Sequence, residues 1–530
     1  MIMSPVLTKQ PAPVVRRTAR LSGRAWATFY LAIATSYLLT SSGRLGVSDA
    51  LSMFNVTQSL ASDLSFSADP CEPAPRSNHC VPGMDGRNYA GFGLIPSIVA
   101  VPAYMAGHIV SSVLHRDTRI LTPLCVVLFH ALFTAIVPLI LALWLCSIGL
   151  SSRTAFLAAL VCAFASPTWE FSKGFYSEPY FVLGLIACCF FLSRDDRAIS
   201  LVAAGACFGF AVGSRIYGAI LLPVIALYGV VLWNSKQRRV PQMLRNLLVL
   251  AGPIAIAFGL IAWSNYFRFG SVLKTGYQLA FPTISALLST PLLRGMAGLL
   301  INREVGILIF VPWVAIVPLF WRRFWVRYRS EAVLVLGMIV MNYLFFAKYV
   351  GWHGGWAVGP RMLYPLVPFL VLPVAVLFDE GAPALRTLVG RISMTLIGLA
   401  FLIQGLLILY PGSRYYYLEG YHQRHGVHVW WSGQPLVEAF TALPDLLLGI
   451  GNQSGDPAHG FLLTFPNGSV NLMRADVWLL KAPLFGVPHV ISWFVMALLL
   501  LLSAVAGWVV LTQLHRGAER VGRETPLGVS

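Results

Sequence analysis

Thirteen stretches of this chain are each apolar over about the length of a bilayer-spanning helix, and short clusters of Lys and Arg separate them. They lie near 25–42, 93–114, 120–149, 154–172, 178–193, 199–214, 217–233, 247–265, 305–321, 332–349, 362–378, 392–410 and 489–512. A bilayer core about 30 Å thick is crossed by roughly 20 helical residues, and only a helix or a closed barrel satisfies its own backbone there. Several of the runs are short, as expected of helices that surround a water-filled cavity. Composition agrees: 57% of the 530 residues are hydrophobic and 11% are charged, against about 25% charged in soluble domains. Soluble enzymes, collagen, coiled coils and disordered chains are excluded. The expected fold is an all-α polytopic membrane protein with about 11–13 transmembrane helices.

The net charge of +17 on a soluble chain would suggest nucleic acid. Here the cations cluster between apolar runs, so membrane lipids are the expected partner and nucleic acid is not. Lys9, Arg16, Arg17, Arg20 and Arg24 precede the first run with no acid before Asp49, which places the amino terminus inside. The clusters Arg116/Arg119, Arg153, Arg194/Arg197, Lys236 to Arg245, Arg322 to Arg329, Arg386/Arg391 and Arg516 to Arg523 are assigned to the same side. One joint does not close. Loop 43–92 reads as outside and Arg153 as inside, yet two apolar runs lie between them where an odd number of crossings is required. Either one run is re-entrant or a side is misassigned.

The first run has no small-residue cleavage site and reads as an anchor. The expected organisation is a tail over 1–24, a transmembrane core over 25–410 with an outer loop at 43–92, an outer lid domain over 411–488, a last transmembrane helix over 489–514 and a tail over 515–530. Segment 266–302 reads as a further outer loop, amphipathic rather than polar. Six of the eight cysteines fall in apolar runs as small buried hydrophobes. Cys71 and Cys80 flank a Pro-rich insert in the first outer loop, where an oxidising compartment favours a disulfide over a zinc site with His79, for which a fourth ligand is not in view.

No phosphate-binding loop, dinucleotide fingerprint, metalloprotease helix or serine elbow occurs. What remains is a set of polar groups at the outer ends of the runs. Asp49 follows the first run and opens an amphipathic segment with Leu51, Phe54 and Leu60 on its apolar side; a carboxylate there either caps that helix or takes a proton from a hydroxyl group. Glu170, Lys173 and Glu178 end another run, and ionisable groups so placed face aqueous cavities. Arg215 interrupts a long apolar stretch and needs an anion, from a protein carboxylate or a lipid phosphate.

The tract Gly351-Trp-His-Gly-Gly-Trp-Ala-Val-Gly-Pro-Arg361 offers glycines for close backbone approach, Trp352 and Trp356 as sugar-stacking faces, His353, and Arg361 for bidentate phosphate contact. The competing reading is a turn with interfacial tryptophans. Arg268, Lys274 and Tyr277, with Arg294 and Arg303, either line an anionic headgroup site or snorkel to the interface. His422, His425 and His428 beside Tyr415, Tyr416, Tyr417, Trp430 and Trp431 read as ordinary lid packing or as a sugar-facing aromatic surface, with metal binding the poorer reading.

Together these landmarks resemble the bacterial polytopic glycosyltransferases of the GT-C superfamily that use polyprenyl-phosphate sugars, with arabinosyl-, mannosyl- and aminoarabinose-transferring relatives. The matching pieces are Asp49, the Asp85-Gly-Arg-Asn-Tyr89 hairpin with Gly93 and Pro102, Tyr176-Ser-Glu-Pro179, Gly213-Ser-Arg215, Asn265-Tyr-Phe-Arg-Phe-Gly270 with Thr275-Gly-Tyr277, Gly355 to Arg361, and Asp476-Val-Trp478. The chain departs from the pattern at two places. Asp49 stands between Ser48 and Ala50 where relatives often pair two acids, and Gly91 stands where many carry Lys.

The resemblance implies an extracytoplasmic active site in a bacterial inner membrane, serving the cell envelope. Asp49 is the implied base, with Arg215 and Arg361 around the donor's lipid phosphate, joined by Lys274 and Tyr277. Glu178, His353, Trp352 and Trp356 take supporting places. The implied partners are a polyprenyl-phosphate sugar donor and a glycan, lipid or protein acceptor. No nucleotide is required, no cofactor is called for, and the motifs indicate no divalent metal while leaving one open. The alternatives are a lipid-linked-glycan flippase or transporter, for which midplane charges and repeated halves are missing, and a non-catalytic scaffold of the same fold.

Overall fold

The computed structural model describes residues 22–71, 80–276, 283–355, 357–425, 433–448, 462–465, 468–471 and 475–523. Two layers of ionic contacts mark the ends of a helical bundle. At one end Lys236 and Arg238 hold Asp196 at 3.0 and 2.6 Å, Arg323 holds Glu380, and Arg327 holds Asp379. At the other end lie Asp49, Lys173, Glu178, Arg215, Arg361 and Asp476. We term these the basic end and the site end.

Among the described residues the chain passes between these layers in twelve segments. They are α1 (Gly23–Thr40), α4 with α5 (Thr118–Thr134, Ile136–Ser147), α6 (Ser152–Phe164), α8 (Glu178–Arg194), α9 (Ala198–Ser214), a 3-10 turn with α10 (Leu222–Ser235) and α11 (Val240–Phe269). After them come α14 with α15 (Ile307–Phe310, Val317–Arg327), α16 (Arg329–Lys348), a 3-10 turn at Arg361–Leu366 with α17 (Val367–Asp379), α19 (Leu388–Leu409) and α23 (His489–Arg523). The remaining helices lie at the ends. They are α2 (Ser48–Asp63), α3 (Ile95–Leu114), α7 (Pro167–Ser172), α12 (Ile284–Leu287), α13 (Leu292–Ile301), α18 (Ala382–Arg386), α20 (Gly412–His425), α21 (Pro435–Leu448) and α22 (Trp478–Lys481).

By length and composition, nine helical segments among the described residues can cross a membrane. Two of them do not pass between the layers. Helix α3 begins beside Gly93, where a Cβ would sit 2.2 Å from the Gly213 carbonyl oxygen at the site end of α9. It ends at Leu114, and the Arg116 guanidinium just beyond it lies beside Gly486, three residues ahead of the last pass. Helix α3 therefore does not reach the basic end, and Arg116 and Arg119 stay on the side of the site layer. Segment 93–114 is long and apolar enough to cross a membrane but is not among the passes between the two layers, so one such pass separates loop 43–92 from Arg153, and Arg116/Arg119 lie opposite the side assigned from sequence.

The physical reason is that α3 is apolar on both faces. Ala100, Ala103 and Gly107 pack inward on α4 while Ile98, Met105, Ile109 and Val113 are exposed. A helix lying in the interface and one spanning it then carry the same hydropathy. Segment 284–301 behaves likewise: Leu287 accepts a hydrogen bond from Val350 N, and Glu304 just past α13 accepts one from Gly359 N.

The first loop folds on itself at the site end. Helix α2 packs on α3, with Ser97 Oγ donating to the Met53 carbonyl at 2.8 Å. Strands β1 (Cys80–Pro82) and β2 (Asn88–Ala90) pair antiparallel, and a Cys71–Cys80 disulfide ties them to the end of the α2 loop. The segment after α19 holds α20, α21 and the antiparallel β3–β4 hairpin (Leu462–Phe465, Gly468–Asn471). It is fastened to the bundle through Asp476 N to the Leu409 carbonyl and Trp478 N to the Ser41 carbonyl. His428, Trp430 and Trp431 lie outside the described residues, and so does Tyr277.

Candidate functional site

Four side chains from four elements form a buried chain of alternating charge. Asp49 opens α2 and Glu178 opens α8, where exposed helical N–H groups favour a carboxylate; Arg215 follows the last turn of α9, where carbonyls favour a cation. Arg361 opens the 3-10 turn beyond the Gly-rich tract. It binds Glu178 through Nε and Asp49 through Nη2, while Arg215 binds Glu178 through Nη2 and Ser177 Oγ through Nε at 2.8 Å. The third nitrogen of Arg361 donates to the Gly354 carbonyl at 3.4 Å. All four side chains are no more than 13% exposed, and at that depth an unpaired charge costs several kcal/mol. The alternation of two acids and two bases is what permits the burial.

A second ionic cluster lies beside it. Asp476 receives Arg44 Nε at 2.9 Å and Lys481, with Lys173 Nζ at 3.6 Å. Lys173 spends its hydrogen bonds on the Leu407 and Tyr410 carbonyls at 2.7 and 2.9 Å, capping the end of α19. Burial by itself would raise the Asp476 pKa, but Arg44, Lys481 and Lys173 outweigh it and hold the carboxyl well below the usual range. Burial pulls Lys481 down to about 8 despite Asp476. This cluster joins the first loop, α7 and the segment before the last pass.

An apolar groove of about 500 Å³ runs between α9, α11 and the Gly91–Ile95 segment. It exists because Gly205 and Gly209 bring α9 against α11: a Cβ at Gly205 would lie 2.3 Å from the Leu250 carbonyl, and one at Gly209 would lie 2.6 Å from Ala257 Cβ. Such small residues let membrane helices approach closely. Ala206, Phe210, Ile256 and Leu260 line the groove, and Asn265, Arg268 and Thr275 lie at its site end. Arg268 donates to the carbonyls of Ala90 and Ser264 and to Asn265 Oδ1 at 3.2–3.3 Å. Among the described residues it pairs with no carboxylate. The hairpin secures it from the other side, with Met84 N on the Arg268 carbonyl.

The structure thus brings Asp49, Arg215, Arg361 and Glu178 together, and it engages both guanidinium groups with protein carboxylates. Gly213 and Ile216, which flank Arg215, line the groove, whereas Asp49, Glu178 and Arg361 do not. Lys274 and His353 are exposed. Trp352 packs on α13, where a Cβ at Gly298 would lie 2.2 Å from its ring. Trp356 and Tyr277 lie outside the described residues. Cys71 and Cys80 are bonded to each other. Among the described residues no group of three His, Cys, Asp or Glu side chains could hold a metal ion.

Sequence reasoning missed Lys481 and Arg44 altogether. It passed over Arg268 as one of several loop cations, although its place at the end of a long apolar helix was a usable signal.

No protein-family model and no curated protein sequence matches the chain. Its structure is similar to the Archaeoglobus fulgidus oligosaccharyltransferase in the apo form, with 13% identity, a TM-score of 0.49 and coverage of 75% of this chain. The chain spans 58% of that protein's length. It is also similar to ArnT from Cupriavidus metallidurans bound to undecaprenyl phosphate, with 14% identity, a TM-score of 0.45 and coverage of 79% of this chain and 75% of that one.

Proposed function

We propose that this chain is a membrane glycosyltransferase that moves a sugar from a polyprenyl-phosphate donor to an acceptor hydroxyl, at the extracytoplasmic face of a bacterial inner membrane. One observation carries the reading: a lipid-exposed apolar groove that ends at a buried Arg268, which pairs with no carboxylate among the described residues, in the same end layer as the Asp49–Arg361–Glu178–Arg215 chain. The groove suits an isoprenoid tail and Arg268 suits its phosphate. Arg268 thereby takes the place assigned from sequence to Arg215 and Arg361, whose charges are already balanced. It also supplies the cation that the resemblance expects at Gly91.

In the proposed reaction the bond from the anomeric carbon to the phosphate oxygen breaks, and its electron pair leaves with the phosphate. Fixed cations in a water-poor site stabilise that charge without reorganising. The acceptor oxygen bonds to the anomeric carbon as the centre becomes oxocarbenium-like, and its proton passes to the Asp49 carboxylate. Arg361, gripped by Glu178, fixes the position of that carboxylate. A single displacement of this kind inverts the anomeric centre.

The test is transfer from polyprenyl-phosphate hexoses and pentoses in proteoliposomes, comparing wild type with Asp49→Ala and Arg268→Ala. Loss of transfer in both variants supports the reading. Movement of intact donor across the bilayer by wild type, with no cleavage, would make the chain a transporter instead.

A further inference from the structure

The last pass carries three hydroxyl side chains, Ser492, Ser503 and Thr512. Ser503 Oγ meets Ser36 Oγ at 2.7 Å, and Thr512 Oγ1 donates to the Val509 carbonyl at 2.9 Å. Ser492 is 4% exposed, and its Oγ has no hydrogen-bond partner among the described residues. A hydroxyl buried in that state gives up its bonds to water without replacing them. Ser492 also lines a cavity of about 170 Å³ away from the apolar groove and the charge chain.

Three elements enclose this cavity. Leu446 closes it from the last turn of α21, Leu480 from α22, and Pro483 from the turn that follows, while His489, Trp493 and Met496 face it from α23. Next to it, Val490 and Phe494 are 79% and 68% exposed, so its rim continues into the lipid-facing surface of the last pass. The volume is well below the roughly 300–1,000 Å³ of a site that encloses a whole small molecule. What fits is a molecule that inserts one part and leaves the rest along α23.

Charge narrows the choice. The Arg116 guanidinium lies beside Gly486, between Pro483 and His489 in the chain. Arg119, three residues further on, is held by Asp117 at 2.9 Å. Arg116 is exposed and pairs with no carboxylate among the described residues. Asp445, one residue before the α21 wall, is exposed and outside the lining.

We propose that this cavity binds an anionic phospholipid of the surrounding bilayer. The lipid phosphate meets the Arg116 guanidinium with His489 alongside, Ser492 Oγ donates to an ester carbonyl, and one acyl chain lies over Trp493 and Met496. A lipid so placed joins α21 to the last pass through α22, whose Trp478 N and Lys481 fasten the same joint to Ser41 and Asp476. The site takes no part in the proposed transfer and stands or falls separately from it.

The experiment is native mass spectrometry of the delipidated full chain in detergent, titrated with dioleoylphosphatidylglycerol or dioleoylphosphatidylcholine. Phosphatidylglycerol is expected to fill one site at concentrations where phosphatidylcholine does not. Arg116→Gln should weaken it about tenfold, the scale of one lost charge-assisted hydrogen bond, and Ser492→Ala about threefold, the scale of a neutral one. Arg119→Gln, at the same end of α3, should leave it unchanged. Inorganic phosphate and decaprenyl phosphate should not displace the lipid. Hydrogen exchange of the peptide covering 478–488 should slow when phosphatidylglycerol is added to wild type and not when it is added to Arg116→Gln.

Equal binding of the two lipids overturns the proposal, as does equal loss in Arg116→Gln and Arg119→Gln. Displacement by inorganic phosphate would make this a free-anion site, and displacement by decaprenyl phosphate would make it part of the donor site; either result also overturns it. Should Ser492→Ala fail to fold, Arg116→Gln at its exposed position decides the matter.

Discussion

Arg361 reaches back 183 residues to bind Glu178, and through a second nitrogen it holds Asp49 at 2.5 Å. Glu178 in turn binds Arg215, so one carboxylate joins two guanidinium groups from different elements. Replacing one partner leaves a buried charge uncompensated. Glu178→Gln is therefore expected to cost about 3–5 kcal/mol, read as a fall in the thermal midpoint of the detergent-solubilised protein. In a double-mutant cycle Glu178→Gln and Arg215→Gln should be non-additive by more than about 1 kcal/mol. Additive losses would mean the two residues do not share a site.

Arg268 should dominate recognition of a lipid phosphate. Arg268→Gln is expected to weaken decaprenyl phosphate binding about tenfold, the scale of one lost charge-assisted hydrogen bond, in a thermophoresis titration. Lys274→Gln, on an exposed side chain outside the groove lining, should change it less than twofold. Equal effects would remove the groove's end as the headgroup site.

The close packing of α13 on α16 leaves no room for a side chain at Gly295, where a Cβ would lie 1.9 Å from the Ala347 carbonyl oxygen. Gly295→Val should cost about 1–3 kcal/mol through overpacking. Gly252→Val, at a helical position with nothing within 4 Å of a Cβ, should be tolerated. Thermal unfolding of the two variants gives the comparison.

Lys481 gives stability an alkaline signature. The unfolded chain holds its proton up to the ordinary lysine value near 10.5, the folded chain only to about 8. Between those values the unfolded state binds more protons, so stability rises with pH. The thermal midpoint is expected to climb by a few degrees from about pH 8 to pH 10 relative to Lys481→Met, in which that increment should vanish. A flat difference between the two proteins over this range would show that burial does not lower the proton affinity of Lys481.

The placement of α3 can be checked by single-cysteine accessibility in a background without other free thiols. Arg119→Cys and Asp63→Cys, both at exposed positions, should react with an impermeant maleimide from one side of sealed vesicles. Arg238→Cys should react from the other. Labelling of position 119 together with 238 would restore α3 as a span.

The membrane class and the positions of most passes were legible in the sequence because hydropathy is local and additive. A run such as 392–410 is apolar whatever lies next to it. The same locality is why the ionisable groups of the site stood out, since Asp49, Glu178, Arg215 and Arg361 each interrupt or border an apolar run and so cannot face lipid. The side on which α3 ends was not legible, because a helix with lipid on one face and protein on the other has the same composition whether it lies along the interface or crosses it. Nor were the partners. Whether Arg361 meets a phosphate or Glu178 depends on a few ångströms between residues far apart in the chain, and the groove depends on Gly205 and Gly209 meeting the backbone of α11. Which charges balance one another, and which are left to bind something else, was decided only when the helices packed.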